Sequence, residues 1–325
     1  MADTFGICQW FHFRRYRQVE ATIEGLAELG VRHLRTGISW ADYHRPGSVE
    51  WYDWQMRSLS EAGLAVLLSV WHTPPSISLD PARRSTAVPP ARTRDFADFI
   101  DTIIERWGDQ FDALELWNEP NNPYKWDRRY DPDHTRFATL IRDAAHWARG
   151  RGKPTVLGGV THLDRTFAGR MSELGVVDMV DVVACHSFPE MWEPHATDWD
   201  HPDHWFGWEH RVEEHESWYG PRVWVTETGF ATSGKTPGVP REELQVALLQ
   251  EALQAPVERL YWYGLLDLDP ALVAIEESNG GPREEPEYHM GLIRFSPRYR
   301  LSGYEKPAYE FLRARAAVEA VGADS

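Results

Sequence analysis

The chain is poor in cysteine, in basic charge and in long apolar runs, and each shortage removes a class of protein. Two cysteines in 325 residues, Cys8 and Cys185, cannot build a disulfide framework, and neither has a second cysteine at metal-ligand spacing. Each sits in an apolar run that reads as a strand, which predicts buried, inert thiols. Lys and Arg number 34 against 50 Asp and Glu, for a net charge of −16. Such a surface repels phosphate backbones and anionic headgroups. It argues against nucleic-acid and membrane partners and leaves a neutral ligand unopposed. No apolar stretch approaches membrane-spanning length. The opening residues, Met1 to Gly6, lack the basic and apolar regions of an export signal, so the expected location is the cytoplasm.

Tryptophan is abundant, with sixteen in the chain. Indole faces stack on the C–H faces of pyranose rings while the ring N–H reaches a hydroxyl, so carbohydrate sites collect them. Others serve as core between helices and sheet. A neutral carbohydrate is therefore the expected partner.

Short runs rich in β-branched and aromatic residues recur at 4–10, 33–38, 65–70, 113–117, 155–159, 182–186, 222–226 and 259–263. Segments of helical period separate them. The clearest carries Phe96, Phe99, Ile100, Ile103, Ile104 and Trp107 on one face. Asp131-Pro132 reads as an N-cap followed by proline at the first helical position. A last helix is expected over 304–318, and Gly30, Gly63 and Gly108 suit left-handed C-terminal caps. Eight strand-helix pairs without a composition break predict a single (β/α)8 TIM barrel domain over 1–325. A doubly wound sheet would show a Gly-rich phosphate turn after its first strand, and Gly6–Trp10 is no such turn. Long insertions at 73–90, 188–206 and 265–286 fall where βα loops build a barrel's mouth.

Two motifs end strands of this barrel. Trp117-Asn118-Glu119-Pro120-Asn121 closes the fourth, and Thr226-Glu227-Thr228-Gly229 the seventh. Strand C-termini converge on one pocket, so both glutamates point into the same cleft. Facing carboxyl groups are what glycosidic cleavage requires, one to protonate the departing oxygen and one to attack the anomeric carbon or activate water.

With these motifs in place, the chain resembles the clan A glycoside hydrolases, closest to families 39 (β-xylosidases and relatives) and 5. The resemblance runs to the tail containing Tyr288-His289-Met290-Gly291-Leu292 and Lys306-Pro307-Ala308-Tyr309. It implies a retaining β-glycosidase with Glu119 as acid/base, Glu227 as nucleophile and Asn118 as ligand of the sugar 2-hydroxyl. It further implies Arg35, ending strand two, as partner of the nucleophile. His72 would be a hydroxyl ligand, Trp262 a stacking floor, and His186 a site residue ending strand six. Many relatives place a tyrosine two residues after that histidine, donating to the nucleophile; here the position is Phe188. The charge on Glu227 is expected to raise the pKa of Glu119 and keep it protonated.

No cofactor or metal is implied. His12 is a weaker site candidate. The stretch 191–218, with His195, His201, His204, His210 and His215 among several tryptophans, lacks the spacing of a known metal motif and reads as a lid or an aglycone-side wall. Two rival functions keep the same cleft, a carbohydrate-binding pseudoenzyme and a transglycosidase. The sugar stays open among xyloside, glucoside, galactoside, mannoside and arabinofuranoside, and the long loops favour exo-action.

Overall fold

The computed structural model describes residues 4–161, 164–190, 197–201, 203–233, 241–269, 285–296 and 301–323. Eight parallel strands form a closed barrel: β1 Thr4–Cys8, β2 His33–Ser39, β3 Ala65–Trp71, β4 Ala113–Leu116, β5 Thr155–Thr161, β6 Val182–His186, β7 Val223–Thr228 and β8 Arg259–Tyr263. Each pairs with its neighbour in sequence, and β8 returns to β1 with Cys8 beside Tyr263. All eight strand runs of the sequence are present.

Strand alternation sorts the side chains into two populations. Ile7, Leu34, Val66, Leu114, Val225 and Leu260 turn outward and pack with the helices in one large core. Cys8, Leu67, Ala113, Ala184, Trp224 and Tyr261 turn inward and fill the barrel. The surrounding helices are α1 Tyr16–Glu28, α2 Trp40–Tyr43, α3 Ser48–Glu61, α4 Arg94–Trp107, α5 Thr135–Gly150, α6 Arg165–Glu173, α7 Trp208–Tyr219, α8 Arg241–Ala252 and α9 Pro307–Ala323. The apolar face read for α4 is buried along its length. No described helix is long and apolar enough to cross a membrane.

Three local expectations are corrected. Helix α5 begins at Thr135 rather than beside Asp131, and Asp131 caps it from a distance, accepting from the backbone N–H of Arg136 (3.0 Å) and Phe137 (2.9 Å). Gly30 and Gly63 have the expected positive φ, 65° and 69°, but Gly108 stays right-handed at −53° because a 3-10 turn follows directly. The segment before the last helix is a strand: β10 (Leu301–Glu305) pairs antiparallel with β9 (Ile293–Ser296). Pro307, whose fixed φ suits a first helical position, then starts α9. This helix packs on α8 and reaches α1, where Tyr309 donates to Glu28 (2.8 Å), so it occupies the eighth place in the ring. Lys306, at its foot, makes a buried ion pair with Asp267 at 2.7 Å.

Candidate active site

The β4 motif forms the centre of the site through a strained turn. Trp117 (φ 77°) and Glu119 (φ 48°) are both left-handed, a conformation that costs non-glycine residues about 1–3 kcal/mol each and persists where surroundings enforce it. The enforcement is visible. Trp117 is buried edge-on against Phe96 and Trp126, and the Glu119 N–H donates to the Gly159 carbonyl at 3.0 Å. Asn121 clasps β5 with both ends of its amide, accepting from the Thr161 N–H (3.1 Å) and donating to its carbonyl (2.6 Å). Close packing against β5 requires glycine there: a Cβ on Gly158 would lie 1.8 Å from the Trp117 carbonyl oxygen, and one on Gly159 1.9 Å from His186 Nε2.

Glu119 and Glu227 meet across this turn. With His186 they offer three donor atoms within 4.8 Å of one another. His186 stands between them, its Nδ1 3.0 Å from Glu119 Oε1 and 3.6 Å from Glu227 Oε2. Its Nε2 is buried against Gly159 with no hydrogen-bond partner. Nε2 has no acceptor there, so Nδ1 is the ring nitrogen that donates, to Glu119 Oε1. The same tautomer works against a metal. Among the described residues these three form the one group able to hold an ion, yet Nδ1 would have to lose its proton to serve as ligand.

Arg35 sets the floor. It is fully buried, and each of its five N–H groups has a partner. Nε and Nη2 grip the two oxygens of Glu115 (2.8 Å for Nε), Nη2 also donates to Asn118 Oδ1 at 2.7 Å, and Nη1 donates to Glu227 Oε1 at 2.5 Å and to Cys8 Sγ at 3.2 Å. Because Asn118 Oδ1 faces the guanidinium, its amide NH2 is left to face a ligand. Cys8 in turn points its thiol at Glu227 Oε1, 3.7 Å away. Burial and the Glu227 charge outweigh Arg35 and raise the Cys8 thiol well above its ordinary pKa, so it is a neutral donor. Cys8 is thus no inert core thiol. With Phe188 packed among the apolar side chains of the barrel interior, Glu227 is held by Cys8 from β1 and Arg35 from β2, and His186 from β6 lies 3.6 Å from its Oε2.

The ionisation of Glu119 departs from expectation. Burial favours its neutral form, but the His186 contact, the Lys125 ammonium and the Asn122 amide (3.0 Å to Oε2) outweigh burial and bring it down to about 2. The substrate-free site holds Glu119 as a carboxylate.

Trp262 requires a correction. On β8 it follows Tyr261 and precedes Tyr263, both inward, so alternation turns it outward, where it is 1% exposed within the core shared with the helices. It cannot form a sugar floor. Tyr263 is the β8 side chain on the inner face at this level, and the parity of the strand would have identified it. Other aromatics missed from sequence are Trp10 and Trp71, whose rings lie 5.8 Å apart at 58°. The Arg35 guanidinium sits 4.9 Å from the Trp10 ring and Lys125 Nζ 4.7 Å from Trp71. Trp10 occupies space that a side chain at Gly37 would claim, since a Cβ there would lie 2.4 Å from its ring.

His72 lies half-buried beside Trp71, its Nδ1 3.2 Å from Ser39 Oγ. His12 uses its backbone N–H on the Gln18 side chain (3.1 Å). Of the histidine-rich stretch, His195 lies outside the described residues. His215 is buried, pushed down to about 3 by burial and by Arg211, and its Nε2 meets Ser187 Oγ at 3.3 Å.

A closed parallel barrel of this kind, with a carboxylate pair at the C-terminal ends of β4 and β7, defines the class: a (β/α)8 barrel with its candidate site at the strand C-termini. No family model and no curated protein matches the sequence. Solved structures do match in fold. A family 39 glycoside hydrolase from Bacteroides cellulosilyticus WH2 superposes with a TM-score of 0.60 at 17% identity, covering 97% of this chain and 63% of that one. An exo-β-1,4-mannosidase from Opitutaceae bacterium strain TAV5 gives 0.65 at 17% identity, covering 97% and 59%. A β-glycosidase gives 0.63 at 16%, covering 95% and 87%. The chain thus spans about three fifths of the length of the first two. At these identities the likeness is one of fold.

Proposed function

We propose that this chain is a retaining glycosidase acting on a neutral, β-linked glycoside, with Glu227 as nucleophile and Glu119 as acid/base. The observation that carries the reading is that one oxygen of Glu119 and one of Glu227 lie within 4.8 Å of each other, which supports the closer of two spacings. Retaining enzymes hold their carboxyl groups about 5–5.5 Å apart, whereas inverting ones leave about 6.5–9.5 Å for a water. Glu227 Oε1 is held by Arg35 and Cys8, which leaves Oε2 as the attacking atom.

In the first step Oε2 forms a bond to the anomeric carbon as the glycosidic C–O bond breaks, and Glu119 gives its proton to the departing oxygen. In the second, Glu119 takes a proton from water, whose oxygen attacks the same carbon and releases Glu227. Since Glu119 is ionised in the empty site, the proton must be acquired on the way to the substrate complex. A sugar entering between the carboxylates supports this by exchanging the His186 contact for the glycosidic oxygen. Asn118, whose Oδ1 accepts from Arg35, would use its amide N–H to donate to a ring hydroxyl.

A panel of aryl glycosides, followed by proton NMR of the first-formed anomer, tests the reading. Net retention is expected, and an inverted product would overturn it. Glu227→Ala should lose at least about 10⁴-fold in kcat, in line with removal of a covalent nucleophile; wild-type turnover would exclude that role. Xyloside, glucoside or mannoside specificity is read from the same panel.

A further inference from the structure

We propose that Glu115, a residue with no direct access to substrate, is a positioning residue for this reaction: by occupying Nε and Nη2 of Arg35 it confines the guanidinium to a single N–H on Glu227 and so keeps that carboxylate nucleophilic. The inference rests on the retaining reading of the site.

Glu115 sits on β4, four residues before Glu119, completely buried. It takes Arg35 side-on through both carboxylate oxygens and is steadied by Ser69 Oγ at 3.3 Å. Two-point contact of this type fixes the plane of the guanidinium as well as its position. The remaining Nη1 edge is aimed at Glu227, and Nη2 at Asn118. One positive charge therefore serves two buried carboxylates. Glu227 receives enough of it to be oriented, but the attraction is divided. An undivided Arg35 would hold the electron pair that must attack carbon, since an interaction stronger in the ground state than in the transition state slows the chemical step. Among the described residues, the charged and titratable groups around Glu227 are Cys8 from β1, Arg35 from β2, Glu119 from the turn after β4 and His186 from β6, with Glu115 behind Arg35. Among these charged groups Glu115 alone draws on Arg35 without touching Glu227; Asn118, which also accepts from Nη2, is neutral.

The test is Glu115→Gln, which keeps the shape and removes the charge. Arg35 is then Glu227's alone, and one like charge has left its surroundings, so both effects favour ionised Glu227. The acidic limb of kcat/KM should move down by about one pH unit, a tenfold change in the protonation equilibrium, while kcat/KM for a poor leaving group falls about tenfold. Glu115→Asp retains the charge one methylene further back and should move the limb the same way by less, with part of the rate restored. An acidic limb at the wild-type position in Glu115→Gln, or in Glu115→Asp if the first variant does not fold, overturns the proposal. Carbon-13 NMR of protein labelled at the glutamate δ-carbon, with Glu227 identified by loss of its resonance in Glu227→Gln, follows the same titration without turnover. A panel that yields no hydrolysis would count against the glycosidase reading, while the NMR midpoint would still decide the role of Glu115.

Discussion

His186 illustrates how one side chain sets the working range of another. Its contact is among the forces that bring Glu119 down to about 2, so its removal leaves burial to act in the opposite direction. In the proposed mechanism Glu119 must carry a proton to act as acid. A higher pKa extends that form to higher pH, and His186→Ala should shift the basic limb of kcat/KM upward, with kcat reduced about tenfold. A limb that stays in place would show that His186 does not govern this proton. As the two carboxylates interact, both limbs belong to the pair. Much of this centre was legible in sequence, because Glu119 and Glu227 each end a recognisable strand and barrel geometry brings such ends together. Cys8, Glu115 and Asn122 were not. Their roles depend on contacts across the barrel that nothing in their local sequence announces. Trp262 was misjudged for a different reason, since its composition suggested stacking while its strand parity pointed it at the helices.

At the scale of elements, β5 deserves the most scrutiny from mutagenesis. Its two glycines lie directly against the strained β4 turn and against His186. Gly159→Ala would drive a methyl group into the imidazole, displacing the donor to Glu119. We expect kcat/KM to fall at least about tenfold while circular dichroism stays that of a folded barrel. Unaltered kinetics would mean that the ring can shift without consequence. The strands themselves were readable as apolar runs, and α4 as a periodic stripe. The β9–β10 hairpin was missed, since it follows a long insertion and carries few alternating residues. Helix α5 was placed too early because Asp131 does cap it, but from outside the first turn.

For the whole molecule, the barrel is completed by a helix that lies far along the chain from β8. Lys306 and Asp267 connect the two. Burial pushes Asp267 up and Lys306 down in pKa, each toward its neutral form, while their 2.7 Å contact resists both shifts. Lys306→Met would leave a buried carboxylate without its counter-ion, at a cost of about 3–5 kcal/mol. Chemical denaturation should record that loss as an earlier midpoint, and an unchanged midpoint would show that the pair adds nothing to closure. The ring of strands and most of its helices were legible from alternation and period. The sealing contact was not, because a lone lysine before a proline gives no hint of a partner 39 residues upstream.

The saturation of Arg35 also limits what a ligand can be. All of its hydrogens are committed to protein atoms, so the strongest cation beneath the cleft is invisible to an incoming molecule. A sugar bearing a carboxylate or sulfate would find no free guanidinium edge there, and would face two glutamates of its own sign. On the glycosidase reading, an acidic sugar would meet no guanidinium at the base of the cleft, before any loop at its rim takes part.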